Sequence, residues 1–173
     1  MPFGEFLTRW TVIVAVGLFA LALCLRWNAR AETDQLRARW LWTAGCFLFV
    51  IHVACAFQFV HAWSHAAALE ATARETREKT GWNSGVGLYA NYVFLIVWLA
   101  DTAWWWRGIG PDSSRGRWVD AAVVGYLGFI AFNATVVFGD GVARVVGIGA
   151  TALLCAAGYV RLRRDGRDKG RSP

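Results

Sequence analysis

Five stretches of this chain, approximately residues 10–26, 40–60, 87–106, 118–138 and 142–160, are nearly unbroken apolar runs. A segment of about 20 such residues crosses the hydrocarbon core of a bilayer as a helix. With 57% hydrophobic residues in 173, a single soluble domain has nowhere to hide runs of that length. Lipid cannot hydrogen-bond an open strand edge, and the runs lack the alternation of barrel strands, so helices are the remaining choice. The expected fold class is therefore all-α: a polytopic transmembrane bundle of five spans over residues 1–160, followed by a basic tail at 161–173.

The net charge of +6 is better explained by the positions of the charges than by a polyanionic partner such as nucleic acid. With the N-terminus outside, the cytoplasmic segments carry Arg26, Arg30, Arg37, Arg39, Arg107, Arg115, Arg117 and the tail residues Arg161, Arg163, Arg164, Arg167, Lys169 and Arg171. The opposite side carries only Arg9, Arg74, Arg77, Lys79 and Arg144. Positive charge collects on the cytoplasmic side, so the expected topology is N-out and C-in, in a bacterial inner membrane. Juxtamembrane Arg and Lys are each attracted to anionic headgroups by about 1 kcal/mol, which makes the lipid bilayer itself a partner of the tail. The first run is not read as a signal peptide, because Glu5 offsets Arg9 before it and Leu23 stands where a lipoprotein cleavage site needs a small residue.

Cys24, Cys46, Cys55 and Cys155 all fall inside spans and form no close pair, which makes them apolar thiols rather than a disulfide framework. Trp10, Trp27, Trp40, Trp42, Trp63, Trp82, Trp104, Trp105, Trp106 and Trp118 lie at span ends, the place of interfacial anchors. Gly108, Gly110 and Pro111 end the third span, and Asp112, Ser113 and Ser114 offer caps to the next element. Small residues in the last two spans (Gly125, Gly128, Gly147, Gly149, Ala152 and Ala156) allow helices to approach closely. The motif Asn133-Ala134-Thr135 matches a glycosylation acceptor but lies within a span.

The chemistry-bearing stretch runs from the end of the second span to the third. Residues 66–79 are strong helix formers, with Glu70–Arg74 and Glu75–Lys79 at i,i+4 spacing and Gly81 as a stop. A helical extension is expected at about 62–79, either continuing the second span or bending near Ser64 onto the outer surface. On a continuous helix, Gln58, His61, His65, Thr72, Thr76 and Lys79 share one narrow face. Tyr89, Asn91 and Asn133 reach the same level from the third and fourth spans, completing a candidate polar cluster of Gln58, His61, His65, Tyr89, Asn91 and Asn133.

Three chemistries suit these residues. His61 and His65, at i and i+4, have the spacing of two metal ligands on one helical face. His52, near mid-membrane, could ligate a haem or pigment, although all three histidines lie on one helix and its extension, so one chain cannot clamp a haem between two helices with His on both. Asp101, in the third span, is a costly intramembrane carboxylate of the kind found at proton or ion sites; a bond to Arg39 or Trp42 is the structural alternative. No nucleophile motif or phosphate-binding loop is present.

The segment from His61-Ala-Trp-Ser-His65 through Gly85-Val-Gly-Leu-Tyr-Ala-Asn91-Tyr to Trp98-Leu-Ala-Asp101 resembles small multi-spanning membrane proteins of bacteria that have no assigned activity. The resemblance covers residues 61–101 and implies that the second and third spans, with their outer loop, form the functional unit. The leading expectation is a non-enzymatic accessory or scaffolding component that packs against other membrane proteins or itself. The alternatives are a haem- or transition-metal-binding redox protein using His52, His61 and His65, and an ion-coupled carrier built around Asp101.

Overall fold

The computed structural model describes residues 3–107 and 116–169, apart from the side chains at 117 and 165–169. The turn expected at Gly108 to Pro111, its caps at Asp112 to Ser114 and the end of the tail lie outside the described residues. Six helices carry the fold: α1 (Phe3–Asn28), α2 (Glu32–Cys55), α3 (His65–Thr80), α4 (Val86–Trp106), α5 (Arg117–Phe132) and α6 (Gly141–Lys169). Five of them, all but α3, are long and apolar enough to cross a membrane. They pack in chain order into a closed ring: α1 on α2, α2 on α4, α4 on α5, α5 on α6, and α6 back on α1. The α1–α2 contact is the most extensive, and α1 is the most buried of the five.

Helices that cross a membrane gain little from the hydrophobic effect among themselves, which puts the weight of association on close packing. Gly45 of α2 provides it, since a Cβ there would stand 3.3 Å from the Ala15 carbonyl of α1 and 3.1 Å from the Trp98 ring of α4. Around this approach Phe19, Trp42, Phe49, Phe94 and Trp98 form a continuous aromatic core, with Trp42 and Trp98 5.6 Å apart and edge to face. This corrects the expectation that Trp42 and Trp105 are interfacial anchors, for they are only 0% and 4% exposed. Small residues in the same cluster, Ala15 and Ala22 of α1 and Ala38 of α2, leave room for indoles inside the ring. Neither Trp42 Nε1 nor Trp98 Nε1 finds an acceptor among the described residues, a cost of about 1–3 kcal/mol for each orphaned donor.

Ion pairs tie the ring at both ends. At one end Arg26 of α1 meets Asp120 of α5 at 2.5 Å, with side chains only 7% and 22% exposed, and the guanidinium also lies over Trp105. At the other end Arg9 of α1 meets Asp140, before α6, at 3.0 Å in a more open setting. The four cysteines are free thiols.

Candidate functional site

The end of the ring that carries α3 departs from regular helix in three places. After Cys55, α2 widens into a π-helical turn at Ala56–Val60, and after Phe132, α5 does the same at Asn133–Val137. Such turns insert an extra residue and are frequent at functional sites. Between α2 and α3, Ala62 and Trp63 both take left-handed backbone conformations (φ 47° and 59°), strain of order 1–3 kcal/mol per residue that the surroundings must hold in place. Those surroundings include bonds from Trp63 N to the Phe57 carbonyl (2.9 Å), from Ser64 N to the His61 carbonyl (2.8 Å) and from Trp63 Nε1 to Gln58 Oε1 (2.8 Å).

The bend near Ser64 is therefore the arrangement adopted, and α3 starts at His65, with residues 62–64 turning rather than continuing the helix. The Ser64 hydroxyl caps α3 by accepting from Ala67 N at 3.2 Å, and Gly81, with φ 81°, closes it in the left-handed conformation. Two glycines let α3 dock on the start of α4: a Cβ on Gly85 would lie 2.6 Å from Leu69 and one on Gly87 would lie 3.2 Å from Thr72. Neither expected i,i+4 pair, Glu70–Arg74 or Glu75–Lys79, closes to an ion pair. Burial against α4 and below, rather than salt bridges, holds α3.

Docked this way, α3 roofs a cavity of about 630 Å³. Its inner wall is Thr8 and Val12 of α1, Phe49, His52 and Val53 of α2, and Leu88, Asn91 and Tyr92 of α4. The roof supplies Thr72, Arg74, Glu75, Glu78 and Lys79, while His61, Phe138 and Asp140 stand around the sides. The wall thus mixes apolar side chains (Val12, Phe49, Val53 and Leu88) with polar ones (Thr8, His52, Asn91 and Tyr92), and the roof carries both signs of charge. Concavity of this size and makeup is the usual form of a small-molecule site.

His52 Nδ1 lies 2.8 Å from the Thr8 carbonyl oxygen. A carbonyl only accepts, so Nδ1 carries the proton, and in the neutral ring Nε2 keeps its lone pair. No protein group among the described residues hydrogen-bonds to Nε2. Partial desolvation on the roof raises the Glu75 carboxyl above its ordinary value of 4.5, Lys79 partly opposes this, and Glu78 and Asp140 add to it. Burial also lowers His61 below its ordinary 6.5.

A smaller cavity of about 230 Å³ adjoins, lined by Thr72, Glu75, Asn91 and Asn133 among others. The structure therefore brings His52, His61 and Asn91 to one cavity, and Asn91 and Asn133 to its neighbour. Gln58, His65 and Tyr89 line neither. His65 instead stacks on Tyr92 at 5.9 Å and bonds its hydroxyl, with Tyr89 at its edge. The break at 61–64 thus ends the single polar face expected of a continuous helix, because His61 follows the π-helical turn while His65 opens α3. No group of three or more His, Cys, Asp or Glu side chains converges on a metal-sized site among the described residues. Asp101 is buried near the other end of α4, close enough to Cys46 to act on it electrostatically. Trp42 Nε1, one of the two structural partners expected for it, does not donate to it.

Thr8, Arg74, Glu75, Glu78 and Asp140 are site residues that sequence reasoning missed. The i,i+3,i+4 spacing of Ala71, Arg74, Glu75 and Glu78 on α3 was the one available signal. The chain matches no protein-family model, no curated protein and no solved structure.

Proposed function

We propose that this chain is a non-enzymatic membrane component that holds a small amphiphilic molecule beneath α3. The observation that carries this reading is the cavity itself: apolar side chains interspersed with polar ones at the α3 end of the ring, under a roof of Arg74, Glu75, Glu78 and Lys79. An amphiphile meets both, with its apolar part against Val12, Phe49, Val53 and Leu88 and its polar part among the roof charges. The charge distribution supports a placement with the N-terminus and α3 outside and the tail in the cytoplasm, in a bacterial inner membrane, so the site would face outward and draw its ligand from the outer leaflet or from beyond it.

The test is protection of a cysteine placed on the roof. In a variant free of native cysteines, Thr72→Cys should react with a membrane-impermeant maleimide applied from outside, and react faster once the protein has been stripped of lipids and small molecules. Equal rates before and after stripping would contradict occupancy, and labelling only from the cytoplasmic side would contradict the topology.

A second reading, an accessory subunit of a membrane complex, is favoured by one observation. Gly125 and Gly128 of α5 and Gly149 of α6 have open space where a Cβ would project, so another helix can approach these faces closely. Crosslinking in native membranes that is lost in Gly125→Leu or Gly149→Leu would support it. The redox alternative must reckon with a His65 already engaged by Tyr92, and the carrier alternative with an Asp101 separated from the cavity along α4.

A further inference from the structure

Within the cavity one atom constrains what can occupy it. His52 sits on the same face of α2 as Phe49, Val53 and Ala56, all of which line the cavity. Its Nδ1–H is committed to the Thr8 carbonyl at 2.8 Å, which fixes the ring of this lining residue and leaves Nε2 as an acceptor with no donor from the described protein groups. A saturated acyl chain packed there would leave Nε2 facing hydrocarbon, and a buried acceptor deprived of a donor is penalised. The occupant that completes the wall must bring a donor to its buried end.

The rings around it narrow the choice further. Phe49 lies 5.6 Å from the His52 ring, and Phe57 and Tyr92 lie 6.5 Å apart and only 22° from parallel on the cavity lining. Aromatic faces and edges on several sides suit a planar aromatic guest. A haem iron would also take Nε2 as a ligand, and a backbone carbonyl on Nδ1 is a common support for such a histidine. Its propionates, however, would meet Glu75, Glu78 and Asp140 as well as Arg74 and Lys79. A neutral guest with hydroxyl groups meets no such opposition, and the roof carboxylates would serve as acceptors for a second hydroxyl.

We propose that the occupant is a hydroxylated aromatic amphiphile, of the phenol or hydroquinone class, with its buried hydroxyl donating to His52 Nε2. This rests on the amphiphile-binding reading above and adds the chemistry of the buried end.

The experiment compares a radiolabelled alkyl hydroquinone with its dimethyl ether on the full chain in nanodiscs, under anaerobic conditions. The ether keeps the ring and the tail but has no donor. On the unaltered protein the hydroquinone should bind about tenfold or more tightly than the ether. In His52→Phe, which keeps a ring beside Phe49, the two should bind within about twofold of each other. Equal binding of both probes to the unaltered protein, or a preference that survives in His52→Phe, would overturn the role of His52 while leaving amphiphile binding standing. A Soret band on adding haem that depends on His52 would overturn it in favour of metal ligation. Binding of neither probe, with Thr72→Cys still protected in native membranes, would reject this ligand class alone; loss of that protection as well would reject the cavity reading with it.

Discussion

The imidazole of His65, the first residue of α3, stacks on the phenol of Tyr92 in α4, with centroids 5.9 Å apart and planes 27° from parallel, and its Nδ1 lies 3.1 Å from the phenol oxygen. Tyr92 also stacks on Phe57 from the π-helical turn of α2. This ladder joins three elements at the bend and fixes where the roof of the cavity begins. Tyr92→Phe keeps the stacking and loses the hydrogen bond, so it should loosen α3 by about 0.5–1.5 kcal/mol, and Tyr92→Ala should loosen it more. Hydrogen–deuterium exchange across residues 65–80 is the measure; unchanged protection in Tyr92→Ala would mean that the ladder does not hold α3.

The left-handed backbone at Ala62 makes a separate prediction. A left-handed L-residue costs about 1–2 kcal/mol that glycine does not incur, partly offset by the greater freedom of glycine in the unfolded chain. Ala62→Gly should therefore be neutral to stabilising, whereas the β-branched Ala62→Val should be clearly destabilising. Thermal unfolding in detergent separates them, and equal midpoints would argue that residue 62 is not held at positive φ.

Raised above 4.5 by burial, Glu75 binds its proton more tightly with α3 docked than with α3 free. In the window between the two values the docked state holds more protons, so docking weakens as pH rises through that window and is strongest below it. Glu75→Gln should remove this dependence and make α3 better protected at neutral pH. Exchange rates of α3 at acidic and neutral pH provide the comparison; a variant with the same pH dependence as the unaltered protein would assign the effect elsewhere.

At the opposite end, Arg26 and Asp120 are largely shielded from water. Removing one partner of a buried pair strands the other and typically costs about 3–5 kcal/mol, while replacing both with apolar residues is often close to neutral. Asp120→Leu alone should lower the unfolding midpoint sharply, and Arg26→Met with Asp120→Leu should restore most of it. A double variant as unstable as the single one would show that the charges themselves, or their other contacts, are required.

Much of the fold is legible in the sequence because long apolar runs need no partner to be recognised. The spans expected at 87–106 and 118–138 fall within about a residue of α4 and of α5 with its π-helical turn. Those expected at 10–26, 40–60 and 142–160 are the apolar parts of longer elements at 3–28, 32–60 and 141–169, since helical hydrogen bonding continues through polar ends where hydropathy does not. The site is less legible. His61 and His65 look like neighbours on one face only if the helix is continuous, and the two left-handed residues between them, neither a glycine, give no local warning of the break. Thr8 and Asp140 reach the cavity through contacts with segments far away in the chain. Trp42 was drawn to the interface by its place near a run's end, whereas its position in the core depends on the small residues of α1 and α2 in the same cluster.

The most direct test of the account is native mass spectrometry of the protein released from membrane nanodiscs, with Ala71→Trp, which fills the cavity from the roof, as its control. The account predicts a defined small-molecule adduct at one per chain on the unaltered protein and its absence from a folded Ala71→Trp. A bare chain mass for the unaltered protein, or the same adduct on both proteins, would contradict it.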